Sequence, residues 1–351
     1  MCRGMTRLSR NAIYSSALRS TMTALGLSAP QYVDVHQHVV PPAYRDALRR
    51  EGIINPIQGV DYPAWSLDET LEMMDRRGIA AAIVSITDPG VSFVEGDAAR
   101  TLARAMNEFM ADLVRERPHR FGAFGVLPLP DVDAALEELL YALDVLHVDG
   151  IGLMSNYRGT YPGDPALEPV LAELDRRAVP TFVHPATPPS DGRPDFGLPV
   201  SLYEFTFDTT RMVANLLYSR TLDRYPDLPI ILSHAGGTVP YLASRLTYGP
   251  TINAGLNDRA PHDLVASLRR LYYDTAMSAS PYALPSLRAL ADPSHILLGT
   301  DFPFMPEQTT AETLEGLIAY GGLGDTELDD IRRGNALALF PRLRDAQPAL
   351  A

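Results

Sequence analysis

Two patterns of apolar and polar positions alternate along the chain from residue 31 onward. Short runs of apolar and β-branched residues predict strands, and the longer stretches between them repeat apolar residues at helical spacing. This alternation is typical of a parallel sheet whose strands are connected by helices. The runs that predict strands cover residues 32–36, 79–86, 121–127, 150–154, 181–184, 229–234, 271–275 and 296–301.

The stretches between the strands predict the helices. Ser66 and Glu69 have the spacing of a capping box at a helix start. Eight strands, each followed by a helix, are the count of a single (β/α)8 TIM barrel in the α/β class, which closes on itself. Proline and glycine are frequent in residues 185–199, which predicts a long loop rather than a second domain. The predicted helices cover residues 67–77, 131–146, 166–177, 209–224, 282–291 and, at the C-terminus, 312–320 and 327–340.

The barrel is predicted to occupy residues 31–345, and residues 1–30 differ from it in composition. This segment contains Arg3, Arg7, Arg10 and Arg19, many small and hydroxyl residues, and no acidic residue. The composition is similar to that of a transit peptide. We expect an N-terminal extension that is poorly ordered and takes no part in catalysis.

Composition narrows the class of protein. Hydrophobic residues make up 46% of the chain, charged residues make up 21%, and the net charge is -13. We therefore expect a globular protein that binds neither nucleic acid nor an anionic membrane, since both require excess positive charge. No apolar run approaches the roughly 20 residues that span a bilayer. Cys2 is the only cysteine, which excludes disulfides and thiolate metal sites and indicates a cytoplasmic protein.

The sequence contains no lysine, so its 30 strongly basic residues are all arginine. Schiff-base enzymes, pyridoxal-phosphate enzymes and Walker phosphate loops all need a lysine amine, and these classes are excluded. A two-metal centre bridged by a carboxylated lysine is excluded for the same reason. Any metal centre is therefore predicted to hold one ion.

Four of the eight histidines lie where strands of the predicted barrel end. Active sites of such barrels lie at the carboxyl ends of the strands. His36 and His38 end the first strand and, being two residues apart, point to the same face. His184 ends the fifth strand, His234 the sixth, and Asp301 the eighth. Three imidazoles and a carboxylate suit Zn²⁺, or another borderline divalent ion such as Mn²⁺, and leave a position open for water or substrate.

The remaining histidines lie on the other side of the predicted sheet or off it. We expect structural or solvent roles for them, because an isolated histidine has no ligand set to complete. They are His119, His147, His262 and His295.

Short motifs surround the candidate ligands. They are DVHQH at 34–38 with PP at 41–42, FVHP at 182–185, LSHAGG at 232–237 and GTDFPF at 299–304. Together they resemble the amidohydrolase superfamily, and within it the decarboxylase branch related to aminocarboxymuconate-semialdehyde decarboxylase. LMSNY at 153–157, with GDP at 163–165, and FDTTR at 207–211 are similar to 6-methylsalicylate decarboxylases in particular. The resemblance extends from Asp34 to about Phe340.

The resemblance implies a role for each candidate. It implies that His36, His38, His184 and Asp301 hold the metal ion and that His234 is the neighbouring acid–base or polarising group. Members of the branch tend to have glycine where this chain has Arg158.

Other side chains on the predicted catalytic side are candidates for supporting roles. Asp274, near the end of the seventh strand, is predicted to orient a metal ligand. Arginine pairs with carboxylates in a bidentate geometry, and aromatic side chains can wall a substrate ring. The candidates for binding a substrate are Arg45, Trp65, Phe93, Asn156, Tyr157, Arg158, Phe302 and Phe304.

The resemblance implies non-oxidative decarboxylation of a small ortho-hydroxy aromatic carboxylate such as 6-methylsalicylate, with one divalent ion, Zn²⁺ first, and no organic cofactor. His234 would stabilise the phenolate, and either Asp301 or a metal-bound water would supply the proton that replaces CO₂. One alternative is a hydrolase or hydratase acting on a lactone or amide, and another is a binding protein that retains the site without catalysis. We also expect a homodimer or larger homo-oligomer.

Overall fold

The computed structural model describes residues 32–55, 57, 61–190, 193–194 and 196–346. The predicted N-terminal extension lies outside the described residues. In the part that is described, eight strands form one parallel sheet, and each strand pairs with the next along the chain. The strands are β1 (Tyr32–His38), β2 (Ile79–Ser85), β3 (Phe121–Val126), β4 (Gly150–Met154), β5 (Thr181–His184), β6 (Ile230–Leu232), β7 (Tyr272–Asp274) and β8 (Ile296–Leu297).

Hydrogen bonds between β1 and the segment that begins with β8 close the sheet. The Val35 N–H donates to the Leu298 carbonyl oxygen at 2.9 Å, and the Asp301 N–H donates to the His36 carbonyl oxygen at 2.8 Å. Because the first and last strands are joined in this way, the predicted (β/α)8 TIM barrel is confirmed. The second hydrogen bond also holds Asp301 beside β1.

Helices follow the strands and cover the outside of the barrel. The predicted start at Ser66 is confirmed, since its hydroxyl accepts a hydrogen bond from the Glu69 N–H at 3.2 Å. The helices are α1 (Pro42–Arg50), α2 (Leu67–Arg77), α3 (Gly96–Glu116), α4 (Val132–Asp144), α5 (Glu168–Arg176), α6 (Glu204–Tyr218), α7 (Thr221–Arg224), α8 (Val239–Leu246), α9 (Gly249–Ile252), α10 (Leu264–Arg269), α11 (Leu284–Leu290), α12 (Glu307–Ala319), α13 (Asp325–Asp329), α14 (Asn335–Leu339) and α15 (Pro341–Ala346).

Several predicted bounds differ from the structure. The helix predicted over 209–224 begins earlier, at Glu204, and is interrupted at Arg220, whose backbone is left-handed with a φ of 58°. The helix predicted over 327–340 is divided by a π-helical turn, Asp330–Gly334. The strand predicted over 296–301 is only Ile296–Leu297, and farther along the chain Asp301 has a left-handed backbone with a φ of 64°.

Apolar side chains fill the interior of the barrel toward its amino end. The Phe124 and Phe182 rings, on β3 and β5, stack with centroids 5.1 Å apart. Phe340, from the C-terminal segment, lies against Phe124 at 5.8 Å, and Leu343 of α15 is fully buried in the same group. Because this end is filled, polar side chains can gather only at the carboxyl end of the strands.

The helices of the described residues are amphipathic or short. None of these helices combines the length and the apolar character needed to cross a bilayer.

Candidate metal centre

Four side chains from separate parts of the barrel meet at the carboxyl ends of the strands. One potential ligand atom from each of His36, His38, His184 and Asp301 lies within 4.8 Å of the others, and all four residues are buried. The Nε2 atoms of His36 and His38 are 3.0 Å apart. Asp301 Oδ1 lies 3.3 Å from the first and 3.1 Å from the second. We refer to these four residues as the ligand cluster.

Two of the site residues have strained backbone conformations. Asp301 and His234 both have left-handed backbones, with φ of 64° and 52°. Residues other than glycine rarely adopt this conformation, and such strain is concentrated at functional sites. Gly237 ends the turn that follows β6, and a Cβ atom there would lie 2.2 Å from the Thr206 carbonyl oxygen. Only glycine therefore fits at the end of the turn that carries His234.

The Nδ1 atoms of two imidazoles in the ligand cluster have hydrogen-bond partners outside the cluster. The His184 Nδ1 atom lies 2.7 Å from the Pro185 carbonyl oxygen. The His38 Nδ1 atom lies 3.0 Å from the Ser85 hydroxyl. A carbonyl oxygen can only accept, so Nδ1 of His184 carries the hydrogen and its Nε2 presents a lone pair. This is the tautomer in which histidine binds a metal through Nε2.

Asp274, at the end of β7, lies where the sequence predicts an orienting carboxylate. Its Oδ2 atom is 2.6 Å from His36 Nδ1. Its Oδ1 atom accepts hydrogen bonds from the His234 N–H at 2.8 Å and the Ala276 N–H at 2.9 Å. Both side chains of the His36–Asp274 pair are fully buried. Asp274 therefore fixes the His36 ring and the backbone of His234 together.

Burial and charge set the protonation of the ligand cluster. Burial lowers the pKa of His38 and of His184, which favours the neutral form that binds metals. Burial also opposes a charge on His36, but the Asp274 and Asp301 carboxylates raise its pKa to about 10. Burial disfavours the Asp301 carboxylate, yet hydrogen bonds from His36 and His38 hold its pKa well below its usual range. A divalent cation can replace the proton on His36, because it compensates the same negative charge.

His234 lies beside the ligand cluster without belonging to it. Its ring centroid is 5.0 Å from that of His36 and 5.7 Å from that of His184. The His234 Nδ1 atom is 3.3 Å from the Ala276 carbonyl oxygen, so its hydrogen lies on Nδ1 and its lone pair on Nε2. Burial lowers the pKa of this imidazole. His234 is therefore a neutral base next to the four candidate ligands.

Asp34 is a buried carboxylate that the sequence analysis included only as part of a motif. It accepts hydrogen bonds from the His36 N–H at 3.0 Å and from Gln37 Nε2 at 2.8 Å. After β8, the Thr300 N–H and hydroxyl donate to it at 3.1 and 2.6 Å. Asp34 therefore joins the two segments that carry His36 and Asp301. A charged residue inside an apolar strand is the signal that identifies such a position.

Aromatic side chains border the ligand cluster on one side. The Phe304 ring lies edge-on to the His38 ring, with centroids 5.4 Å apart. The Phe205 ring lies edge-on to the His184 ring at 5.8 Å. Phe304 is among the sequence candidates, whereas Phe205 is not, because it precedes the predicted start of its helix. Both rings belong to one apolar group, which we refer to as the apolar wall and which consists of Ile57, Val200, Phe205 and Phe304.

Two predicted substrate-binding residues pack against helices in the contacts that the structure describes, and a third lies on a helix. The Trp65 ring lies edge-on to Phe109 of α3, with centroids 5.7 Å apart. The Phe93 ring lies edge-on to Tyr44 of α1 at 6.0 Å. Arg45 is half-buried on α1. Trp65 and Phe93 thus pack against the main apolar core.

Asn156, Tyr157 and Phe302 shape the backbone near the site. Asn156 Nδ2 donates to the Asp208 carboxylate at 2.7 Å. The buried Tyr157 hydroxyl accepts a hydrogen bond from the Met154 N–H at 3.0 Å. The Phe302 carbonyl oxygen accepts one from the His38 N–H at 2.8 Å. Each of these contacts orders a strand end or the loop after it.

Arg158 connects two loops at the same end of the barrel. Its guanidinium donates to the Ser92 carbonyl oxygen at 2.8 Å and forms an ion pair with Glu95, and both charged side chains are largely exposed. The backbone φ of Arg158 is 53°, in the left-handed region. Glycine adopts this conformation without strain, which accounts for the glycine that the resemblance leads one to expect here.

Two of the histidines predicted to be structural lie away from the ligand cluster. His295 precedes β8, its Nδ1 atom is 2.9 Å from the Arg269 carbonyl oxygen, and its ring is 4.2 Å from that of Tyr272. The His147 Nδ1 atom is 3.3 Å from the Leu143 carbonyl oxygen. Both are engaged by main-chain oxygens at the amino side of the sheet.

Comparison with known proteins identifies the family. The family model described as "Amidohydrolase" matches residues 33–342. The chain belongs to this family. It is 36% identical over 326 residues to "Decarboxylase yanB" of Aspergillus niger, a match that covers 89% of this chain and 88% of that protein. It is also 36% identical over 317 residues to the 6-methylsalicylic acid decarboxylase of Penicillium expansum, covering 89% and 97%.

A solved structure shares the fold of this amidohydrolase. It is the 5-carboxyvanillate decarboxylase of Novosphingobium aromaticivorans, complexed with manganese and a nitrobenzoic acid. The TM-score is 0.78 and the identity 21%, and the match covers 89% of this chain and 96% of that one. At this identity the likeness concerns the fold.

Proposed function

We propose that this protein is a metal-dependent carboxy-lyase that removes CO₂, without an oxidant, from a small ortho-hydroxy aromatic carboxylate of the 6-methylsalicylate type. The observation that carries the proposal is a buried set of three imidazoles and one carboxylate. It occurs in a chain that is 36% identical over 317 residues to a 6-methylsalicylic acid decarboxylase. Similarity over nearly the whole length of both chains supports decarboxylation over lactone or amide hydrolysis.

One divalent ion fits the ligand cluster, and His36, His38, His184 and Asp301 would hold it. The fit rests on the donor atoms, since hydrogen bonds at Nδ1 leave the Nε2 atoms directed inward beside a carboxylate oxygen. When bound, the ion supplies Lewis acidity toward the substrate carboxylate and the adjacent oxygen. Zinc is our first assignment because it favours imidazole nitrogen, and manganese, which suits a carboxylate-containing site, is the alternative.

His234 and Asp301 supply the proton chemistry of the proposed reaction. The lone pair on His234 Nε2 accepts the hydrogen of the substrate hydroxyl and so stabilises a phenolate. Electron density from the phenolate oxygen reaches the ring carbon that carries the carboxylate. This carbon takes up a proton, which forms the new C–H bond. Its bond to the carboxylate then breaks, CO₂ leaves, and the electrons of the broken bond restore the aromatic ring. Asp301 faces the same space and is the protein's own candidate for delivering that proton. It is ionised in the resting site, so it would first take up one proton from solvent, and His234 would return its own proton to the phenolate oxygen.

The apolar wall supports an alkyl-substituted ring as the substrate. Phe205 and Phe304 offer ring surfaces beside His184 and His38 but no hydrogen-bond partner. A methyl group gains by contact with such a surface, whereas a second hydroxyl group would lose hydrogen bonds to water. We therefore assign 6-methylsalicylate as a better substrate than 2,6-dihydroxybenzoate.

A substrate panel tests the proposed function. Protein loaded separately with Zn²⁺ and Mn²⁺ is incubated with 6-methylsalicylate, 2,6-dihydroxybenzoate, salicylate and simple lactones, and CO₂ release and product mass are measured. We expect a product lighter by one CO₂ from 6-methylsalicylate, with a higher kcat/KM than for 2,6-dihydroxybenzoate. Uptake of one water by a lactone would instead support a hydrolase. No turnover of any compound with either ion would contradict an enzymatic role.

A further inference from the structure

A buried carboxylate near the site has no part in the proposed reaction. Asp208, on α6, is fully buried and accepts hydrogen bonds on both oxygens. Its Oδ2 atom accepts from the Ser155 hydroxyl and from Asn156 Nδ2, the latter at 2.7 Å. Its Oδ1 atom accepts from the Tyr161 hydroxyl at 2.5 Å and from Arg211 at 3.3 Å. The carboxylate thus fixes the loop after β4 to the start of α6.

Ser155 extends this network to a residue of the ligand cluster. The Ser155 N–H donates to the His184 carbonyl oxygen at 2.8 Å. The Ser155 hydroxyl accepts from the Ala186 N–H, also at 2.8 Å. Between these two contacts lies Pro185, whose carbonyl oxygen is 2.7 Å from His184 Nδ1. One serine therefore holds the backbone on both sides of the group that orients the His184 ring.

The Ser155 hydroxyl can accept the hydrogen bond from Ala186 only when its own hydrogen points in one direction. A hydroxyl has one hydrogen to donate and two lone pairs. Because the hydrogen is directed to Asp208, a lone pair is directed to the Ala186 N–H. Without the Asp208 carboxylate the hydroxyl is free to rotate, and its lone pair is no longer held toward the Ala186 N–H.

We propose that Asp208 is a positioning residue for the metal centre, and that it sets the direction of His184 Nε2 through Ser155. This inference rests on the proposed function, since it needs a metal ion bound by His184. It also accounts for a feature of the sequence. The stretches 153–157 and 207–211 both resemble 6-methylsalicylate decarboxylases, and the structure joins them through the Ser155–Asp208 and Asn156–Asp208 hydrogen bonds.

The alternative is that Asp208 only stabilises the fold. A buried carboxylate with several donors does so in any position, and its loss leaves those donors without an acceptor. Asp149 provides the matched control. Its side chain is 4% exposed, and it accepts hydrogen bonds from Arg342 and from the Ala123 N–H at the opposite end of the barrel. Replacement of either carboxylate should lower the stability of the protein. Only the replacement of Asp208 should change the binding of the metal ion.

The experiment compares D208N and D149N with wild type. Metal-free proteins are titrated with Zn²⁺ in competition with a chelating indicator, and the visible absorption spectrum of the Co²⁺ form is recorded. Spectra of bound Co²⁺ report ligand geometry and do not depend on turnover. We expect D208N to bind Zn²⁺ about 10- to 100-fold more weakly, the range known for residues that orient a metal ligand, with an altered Co²⁺ spectrum. D149N should keep the wild-type affinity and spectrum.

Two further variants keep the test decisive if D208N does not fold. S155A removes the hydroxyl that links Asp208 to Ala186 and should weaken Zn²⁺ binding in the same direction. Y161F removes a donor to the other carboxylate oxygen and should leave the affinity within about twofold of wild type. Wild-type affinity and spectrum in S155A and in any folded D208N would overturn the inference while leaving the proposed function intact. Failure of the wild-type protein itself to bind metal would overturn both.

Discussion

His36 and His234 show how two neighbouring imidazoles acquire different roles. Their ring centroids are 5.0 Å apart, but His36 directs Nε2 at the other ligand-cluster atoms and His234 does not belong to that set. H36A should therefore lose metal and activity together. H234A should keep the metal and lower kcat by about 10²- to 10⁴-fold, the usual contribution of a positioned acid or base.

Metal content per protein molecule and kcat, measured on the same preparations, check this expectation. H295A is the control, because His295 lies against Tyr272 at the amino side of the sheet and should keep both metal and rate. Equal metal loss in H36A and H234A would contradict the separate role of His234.

The ligand cluster could be predicted from sequence because strand geometry determines it. Residues two apart on a strand share a face, so His36 and His38 meet, and parallel strands bring His184 to the same end. The surroundings could not be predicted, since they depend on loop conformation. Tyr157 follows a strand on the catalytic side, yet its hydroxyl turns back to the Met154 N–H. Asp208 lies inside a helix, where sequence spacing shows no contact with the loop after β4.

At the scale of elements, the turn at residues 234–237 is the most constrained connection near the site. All four of its residues have positive φ. A Cβ atom on Gly237 would lie 2.2 Å from the Thr206 carbonyl oxygen of α6, so the backbone of the turn packs closely against the backbone of the helix. The turn positions His234, so any displacement of the turn moves the candidate acid–base group.

G237A tests this constraint, with G52A as its matched control. Gly52 has a φ of 72° but nothing within 4 Å of an added Cβ atom. G52A should lower the free energy of unfolding by about 1 kcal/mol, because alanine is strained at a positive φ. G237A adds a clash with the Thr206 backbone and should lower the free energy of unfolding by at least about 3 kcal/mol. Urea unfolding of the metal-loaded proteins gives both values. Equal losses would show that the turn can move away from α6.

Element positions were easier to predict than element bounds. The Ser66 side chain caps α2 where the spacing predicts it, because this signal is local. The helix α3 has no side-chain cap at Glu95 to indicate its start, and it is absent from the predicted helices. The start of α6 was predicted too late, since Tyr203 at its N-terminus also provides no side-chain cap. Phe205 was missed for the same reason.

At the scale of the whole molecule, the two ends of the barrel have different tasks. The carboxyl end contains buried polar groups around the ligand cluster. Burial of polar groups costs stability, so this end is built for binding and chemistry. The amino end is filled by Phe124, Phe182 and Phe340 and covered by α15. Closure of the sheet between β1 and the segment that begins with β8 holds Asp301 beside β1, and α15 packs against the apolar group at the amino end. The barrel could be predicted from the number of strands. The residues that bind α15 to the barrel could not be predicted from the sequence pattern.

Arg342 makes that attachment, and its loss should separate stability from catalysis. Its Nε and Nη2 atoms donate to the two oxygens of Asp149 at 2.6 and 2.9 Å, and it also donates to the Pro118 and Phe121 carbonyl oxygens at 3.0 and 2.8 Å. Asp149 is 4% exposed and the Arg342 side chain 34%, so water partly screens the pair.

R342M keeps most of the aliphatic stem and should lower the free energy of unfolding by about 2–3 kcal/mol, since it leaves a buried carboxylate with fewer donors. Metal content and kcat should stay at wild-type values, because the ligand cluster lies at the opposite end. Urea unfolding of R342M, D149N and the double variant checks the pairing, and the double variant should lose less than the sum of the single losses. Additive losses would show that the two side chains act independently, and loss of metal in R342M would show that the ends of the barrel are coupled.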